Sequence, residues 1–511
     1  MRGRFHRGGR RRGGTLIMFM FMLPTLLVPL VGLAVDGSRV YIVQAKLAGA
    51  VDGAALGAGR LLGTSADTAE IAGEFLNANF PTGFWNTAHF HRDIQFEKTF
   101  IMNKITVSAT VDVPLLFTRI FGQYYATVAA SAIATRKETR VELVIDRSGT
   151  MSGELTSVQQ TATQFTKSFI PGYDQMGLVV FSGSGVVGYP TTRPYNYSPT
   201  SAGGPDNSFQ TPPSGGGSDM VDMIAAIKSG GFTNMSEGLA LAYLELQKAD
   251  HRDQDATRLN AIVLFTDGFP NSFSAYLNDP SNLPTSNSLK ACNASHGVCQ
   301  LCKCTNNPAT ATDATTQMVG WMSGGNTSGQ TAGGPYFLAS SDSHSADYWM
   351  AYSGTPDQQL GTGNLSTAVA KCTYLASTTL NDLRQIPPLT YWGDSTGGTA
   401  FNQSGSYKSK SYDSTTPTDS LNVGIAGWNA TDSVGLRILN DTNLNVTIYV
   451  IGYVGTGGNP DAYLLKRLAN TKDSSRYSTS WQVGQYVEAK DTSGLAQAFQ
   501  SVAASILRLA Q

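Results

Sequence analysis

The sequence predicts an α/β protein whose main body is a doubly wound, mostly parallel, Rossmann-like sheet with a large insertion, preceded by an N-terminal transmembrane helix and a small β-rich module. Three observations predict it. Val141-Glu142-Leu143-Val144-Ile145 and Ala261-Ile262-Val263-Leu264-Phe265 are mainly apolar runs that lead into Asp146 and into Thr266-Asp267. Runs of this kind read as buried parallel strands. Helical apolar spacing follows the first run, and further strands and helices alternate to the end of the chain, as a doubly wound sheet requires.

Taken in order, residues 1–14 form a basic tail with six arginines and no acid, and residues 15–35 carry no charge. At the helical rise that stretch is long enough to cross a bilayer, with the basic end held in the cytoplasm. The stretch is long for a signal-peptide apolar region and no convincing small-x-small cleavage site precedes Asp36, so an anchor is expected rather than a signal peptide. Pro24 and Pro29 are tolerable in a membrane helix. Residues 36–138 then hold a helix rich in small residues (Ala45 to Arg60), a turn at Phe80-Pro81-Thr82-Gly83, and two strands, Lys104 to Val113 and Tyr125 to Thr135.

Residues 139–511 are the α/β body. After Asp146, Leu155, Val158, Ala162, Phe165 and Phe169 mark a covering helix, and Gly177 to Phe181 is the next strand. Asp219 to Ile227 and Ser236 to Gln247 read as helices on either side of Thr233, with Gly230-Gly231 permitting a tight turn. Val446 to Ile451, Tyr486 to Ala489 and a helix bearing Leu495, Phe499, Val502, Ile506 and Leu509 complete the pattern.

Residues 274–441 stand outside the alternation. They are rich in Ser, Thr, Gly and Asn, and are read as an insertion. A structureless loop of that length does not suit a compact domain. Trp321, Trp349, Trp392 and Trp428 predict that part of it folds. All five cysteines, Cys292, Cys299, Cys302, Cys304 and Cys372, lie here. Outside the cytoplasm they fit two disulfides and one spare thiol, of undetermined connectivity; zinc or iron binding is the lesser alternative.

Five residues carry a metal-site expectation: Asp146, Ser148, Thr150, Thr233 and Asp267. Two carboxylates at the carboxyl ends of parallel strands occupy the edge where such sheets bind ligands. Three hydroxyls beside them make an all-oxygen set that suits Mg²⁺, with Mn²⁺ or Ca²⁺ as alternatives and waters filling the remaining positions.

These segments resemble the metal-ion-dependent adhesion site of von Willebrand factor type A domains, an Asp-x-Ser-x-Ser followed by a distal Thr and a distal Asp. Thr150 stands where Ser is commoner. The resemblance implies that the metal keeps one position for a carboxylate from a partner protein, hence adhesion or assembly rather than catalysis. A second resemblance lies upstream. Arg12-Gly13-Gly14, the apolar helix, Ala34-Val35-Asp36-Gly37-Ser38-Arg39 and the small-residue helix resemble the N-terminal segment of TadG-like proteins of the Flp (tight-adherence) pilus, which also place a pilin-like helix ahead of a type A domain. Cleaved prepilins carry Glu five residues past the glycine; Thr-Leu-Ile-Met-Phe follows Gly14, so this chain is expected to stay uncleaved. Together the resemblances imply a single-pass protein of a bacterial inner membrane, mostly periplasmic, meeting pilus-assembly or envelope proteins.

Composition narrows the alternatives. Residues 15–511 hold 30 basic against 37 acidic residues, a net of −7, which argues against nucleic-acid binding. Gly455-Thr456-Gly457-Gly458 has Pro460 where a dinucleotide loop needs its third glycine. No Walker loop, His-Glu-x-x-His or Gly-x-Ser-x-Gly occurs, so no enzyme is expected. A surface adhesin unrelated to pili and a metal-dependent hydrolase remain as alternative readings.

Overall fold

The computed structural model describes residues 12–62, 67–98, 102–190, 197–210, 219–254, 258–276, 319–337, 385–403 and 405–509. All five cysteines and Trp349 lie outside them. Two compact units divide the chain, Met1–Lys137 and Glu138–Ala510.

In the first unit one continuous helix, α1 (Arg12–Gly59), is followed by α2 (Thr68–Asn79) and three strands, β1 (Ala88–Lys98), β2 (Met102–Pro114) and β3 (Tyr125–Lys137). The strands form an antiparallel sheet in the order β1-β2-β3. Asp67 caps α2 by accepting the backbone N–H of Ala69 and Glu70, both at 3.0 Å. Val43, Leu47, Val51, Ala54 and Ala58 of α1 pack with Leu76 of α2 on Ile105, Val107, Val111 and Val113, the residues at alternate positions of β2. The small residues of α1 permit this close approach: a Cβ on Gly57 would fall 2.9 Å from the Phe75 ring.

Residues 15–35 lie within α1, but the side chains of 15–17, 19, 21, 23–25 and 28 fall outside the described residues. Among the described residues no helix is long and apolar enough to cross a membrane.

The second unit contains β4 (Thr139–Asp146), α3 (Leu155–Thr166), β5 (Gln175–Phe181), β6 (Gly185–Tyr189), α4 (Met220–Ala226), α5 (Met235–Asp253) and β7 (Leu259–Thr266). After them come β8 (Ser272–Tyr276), β9 (Val319–Ser323), β10 (Gly333–Phe337), α6 (Ser420–Leu439), β11 (Thr447–Tyr453), α7 (Ala462–Leu468), β12 (Gln485–Ala489) and α8 (Thr492–Leu509). The main sheet runs β12-β11-β7-β4-β5-β6, parallel except for the edge strand β6. It is the doubly wound, mostly parallel α/β sheet expected from the alternation.

Both faces of the sheet are buried. Val141, Leu143 and Ile145 of β4 join Val263 and Phe265 of β7 under α3, α4 and α8, with Phe165, Phe499 and Val502 closing that layer. Val144, Ile262, Leu264 and Val450 face α5, α6 and α7 instead, packing with Leu239, Ile425, Trp428 and Leu465. Burial on two faces explains why these strands read as apolar runs rather than as alternations.

The stretch 274–441 divides among the described residues, and its turns and short helices over 385–419 bring Phe401 and Tyr407 into the layer of α5 and α6. β8, β9 and β10 form a separate antiparallel sheet, whereas α6 belongs to the main helical layer, with Trp428 fully buried.

Candidate metal centre

β4 and β7 are parallel neighbours with Ile145 opposite Phe265. That register delivers Asp146 and the Thr266-Asp267 pair side by side at the carboxyl edge of the sheet. Ser148 and Thr150 follow on the turn after β4. Their hydroxyls stand 3.1 Å apart and both reach Oδ1 of Asp267, at 3.3 and 3.0 Å. Asp146 accepts the Ser148 N–H on Oδ1 at 2.8 Å and the Thr266 hydroxyl on Oδ2 at 2.6 Å. Four of the five expected residues thus form one network. The fifth, Thr233, makes no hydrogen bond to either carboxylate among the described contacts. Its hydroxyl lies beside Gly268, 3.3 Å from where a Cβ there would stand.

The Thr233 loop is held by backbone. Gly149 donates to the Gly231 carbonyl at 3.1 Å and Gly230 to the Arg147 carbonyl at 2.7 Å. Gly231 has φ +89, and a Cβ there would come within 3.1 Å of the Ser182 hydroxyl. Beyond Thr233, Asn234 caps α5 by accepting the Glu237 N–H at 3.2 Å, and its amide donates to the Glu237 carboxylate at 3.0 Å. Ser274 of β8 donates to the same carboxylate at 2.6 Å. Asn271 accepts the Thr233 N–H at 2.7 Å, and Trp321 of β9 packs against Phe232 with ring centroids 5.5 Å apart. The small sheet therefore abuts the loop that bears Thr233.

Electrostatically the centre is short of positive charge. Burial, and then the neighbouring Asp267, push the Asp146 carboxyl up to about 7, against smaller opposing effects of the Thr266 and Ser148 hydrogen bonds. Burial likewise raises Asp267, partly offset by the Thr150 and Ser148 hydroxyls. Arg147 is buried next to Asp146 and brought down to about 10 by that burial. Its Nη1 donates to the Lys228 carbonyl at 2.9 Å.

The donor set fits a hard divalent cation: two carboxylates, neighbouring hydroxyls, and no nitrogen or sulfur ligand. Among the described residues no three His, Cys, Asp or Glu side chains cluster as a metal group, so the remaining ligands here would be hydroxyl and water oxygen. Thr266 and Asn271 were not singled out from the sequence. Thr266 had a readable signal, a hydroxyl directly before Asp267; the role of Asn271 depends on β8 and has none.

Comparison with known proteins gives two family matches. Residues 141–292 match the von Willebrand factor type A domain, and residues 13–61 match Tad, the Flp pilus-assembly TadE/G-like family. No curated protein matches the chain. Among solved structures it is similar to a von Willebrand factor type A protein from Catenulispora acidiphila, at 10% identity and TM-score 0.31, covering 82% of this chain and 50% of that one. It is also similar to the pilus adhesin SpaC from Lactobacillus rhamnosus GG, at 11% identity and TM-score 0.32, covering 82% of this chain and 34% of that one. The vWF domain of the type V pili tip protein Mfa5 from Porphyromonas gingivalis matches at 14% identity and TM-score 0.32, over 74% of this chain and 98% of that one. The chain spans only half the length of the first of these proteins, and likeness at this level carries no argument about activity. The two family matches are local and carry the assignment by segment: residues 13–61 are TadE/G-like and residues 141–292 are a von Willebrand factor type A domain, the combination expected of a TadG-like protein.

Proposed function

We propose that the chain is a membrane-anchored, metal-dependent protein-binding component of a Flp-type pilus assembly system. The observation that carries the reading is a TadE/G-like segment on the same chain as two buried carboxylates that share one cluster of hydroxyls at a sheet edge. Asp146, Ser148, Thr150 and Asp267 hold Mg²⁺, or Mn²⁺ or Ca²⁺ in its place, with Thr233 alongside. The cation supplies an open coordination position that a carboxylate from a protein partner fills. Thr266 orients Asp146, while Asn271 and the Asn234–Glu237 cap hold the Thr233 loop in place.

Anchoring is assigned to residues 15–35. In that part of α1, Met18, Met20, Met22, Leu26, Leu30 and Leu33 are all exposed, at 56–70%. A surface of this kind favours lipid over water. The arginines before it orient the N-terminus inward, leaving the type A domain in the periplasm of a bacterial envelope.

The test uses the full-length protein in detergent. Calorimetry is expected to show one Mn²⁺ or Mg²⁺ site that Asp267→Ala removes, and crosslinked membranes should yield a protein partner with Mg²⁺ but not with EDTA. Equal metal affinity in Asp267→Ala would overturn the reading.

A further inference from the structure

The ten residues between β2 and β3, 115–124, form a loop that carries more exposed apolar surface than a solvated turn needs. Leu116 is 47% exposed, Ile120 78%, Phe121 71% and Tyr124 57%. Single exposed apolar side chains need no explanation, but four within nine residues make a patch of the kind that meets a membrane or a partner.

Its location decides between those two. Asp36 of α1 is buried and accepts four hydrogen bonds from this loop: the N–H groups of Leu116, Phe117 and Thr118 at 2.8, 3.0 and 2.9 Å, and the Thr118 hydroxyl at 3.0 Å. Burial acts to raise this carboxyl, yet the four donors together hold it below its ordinary value. One turn earlier, Gly32 lies against Phe117, so closely that a Cβ would come 2.6 Å from the Phe117 Cβ. The loop is therefore pinned to α1 at residues 32–36, the end of the uncharged stretch 15–35. Those 21 residues span roughly 32 Å at the helical rise, about the thickness of a bilayer core. Gly32 is three residues from the outer end, on the order of 5 Å inside it. This is the depth at which aromatic side chains collect at membrane interfaces.

We propose that the 115–124 loop is a second membrane contact, with Leu116, Ile120, Phe121 and Tyr124 seated in the interfacial layer of the leaflet through which α1 emerges. The proposal rests on the anchoring assigned to residues 15–35. Arg119, whose guanidinium lies 5.7 Å over the Tyr124 ring, suits the phosphate level of that layer. A single helix alone leaves the β-rich module free to tilt about it. A loop bonded to Asp36 and seated beside the same helix fixes that tilt.

Photocrosslinking of the full-length protein in phosphatidylethanolamine–phosphatidylglycerol vesicles tests this, with p-benzoylphenylalanine placed singly at 26, 121 or 96. Phe96 is 48% exposed and pairs with Ile105, nine residues from the loop end of β2 and so about 30 Å away. Lipid adducts are expected at 26 and 121 and not at 96. Gly32→Leu should displace Phe117 and lower the lipid yield at 121 severalfold while leaving that at 26 unchanged. Adducts at 26 with none at 121, or with protein at 121 in place of lipid, overturn the loop contact and leave the anchor standing. No lipid adduct at 26 defeats the anchor, and the loop contact with it.

Discussion

The two ends of β4 solve the problem of buried charge in opposite ways. At its start Arg140 is fully buried, and the fold answers it internally: Nη2 meets Asp253 at 3.0 Å, Nη1 meets Asp250 at 3.5 Å, and Nε donates to Gln175 at 3.1 Å. Arg252 and Arg258 also bind Asp253. Although burial acts to raise Asp253, these donors hold it well below the usual carboxylate range. Six residues along the same strand, Asp146 is equally buried and has hydroxyl and amide donors beside it but no bonded cation; burial first, and then the second carboxylate, raise it. One end is electrically complete. The other is satisfied in hydrogen bonds and unsatisfied in charge, which is the condition of a binding site rather than of a structural ion pair.

Asp253→Ala should therefore have the largest effect on stability, about 3–5 kcal/mol lost, because Arg140 stays buried with Asp250 as its remaining acid. Denaturant unfolding measures this, and Mg²⁺ affinity of the folded fraction should be unchanged. A loss below about 1 kcal/mol would show that water reaches the Arg140 end, and the contrast would fail.

Asp146→Asn should do the reverse: metal affinity falls more than about 100-fold, and the metal-free protein becomes more stable by on the order of a few kcal/mol at pH 7.5. The sign follows from linkage. With a folded value of about 7 against 3.8 unfolded, the folded state keeps a proton the unfolded chain has lost. Stability of the metal-free protein is thus greatest below pH 4 for this group and declines as pH rises to about 7. Glu142, raised well above its ordinary value by burial and then by Glu245, adds a decline of the same sign that the variant retains. Asp253 acts oppositely, contributing above its unfolded value and losing that contribution in acid. Thermal melts at pH 5.5 and 7.5 should show Mg²⁺ raising Tm more at the higher pH in the parent, and not at all in Asp146→Asn.

The same contrast explains what the sequence made legible. Parallel strands buried on both faces leave apolar runs, and a ligand edge leaves carboxylates and hydroxyls just past them, so β4, β7 and Asp146 with Asp267 could be read directly. Arg140 and Glu142 also lie in a strand, but nothing local distinguishes a buried charge from an exposed one; the partners of Arg140 come from α5 and from β5, more than thirty positions away. β8 escaped notice because Ser272 and Ser274 are buried by hydrogen bonds, to the Met322 carbonyl and the Glu237 carboxylate, rather than by apolar contact. In β1, His91, Arg92, Asp93, Gln95 and Glu97 mask the alternation that exposed β2. The expected helices near 15–35 and 45–60 are one helix, since nothing at Asp36 breaks it and its carboxylate is taken up by another part of the unit.

Thr266→Val tests the edge more finely. It deletes the hydroxyl that donates to Asp146 Oδ2 while leaving both carboxylates in place. A partner that orients a ligand without being one typically contributes 10- to 100-fold, so about tenfold weaker Mn²⁺ binding is expected by calorimetry. Loss as complete as that in Asp146→Asn would move Thr266 into the ligand set.

The smallest effect belongs to Thr150, where the sequence departs from the commoner serine. Its hydroxyl reaches Asp267 at 3.0 Å and Ser148 at 3.1 Å, and its side chain is exposed at the mouth of the site. The methyl therefore has room, and the oxygen is what the centre uses. Thr150→Ser should bind Mn²⁺ like the parent, whereas Thr150→Val keeps the shape, removes the donor to Asp267 and should bind severalfold to tenfold more weakly. Since this loss comes from a hydroxyl at the open side of the site, it should weaken partner recovery at limiting Mg²⁺ and disappear at saturating Mg²⁺. Equal affinity in all three proteins would remove Thr150 from the ligand list and leave Ser148 as the hydroxyl at the metal.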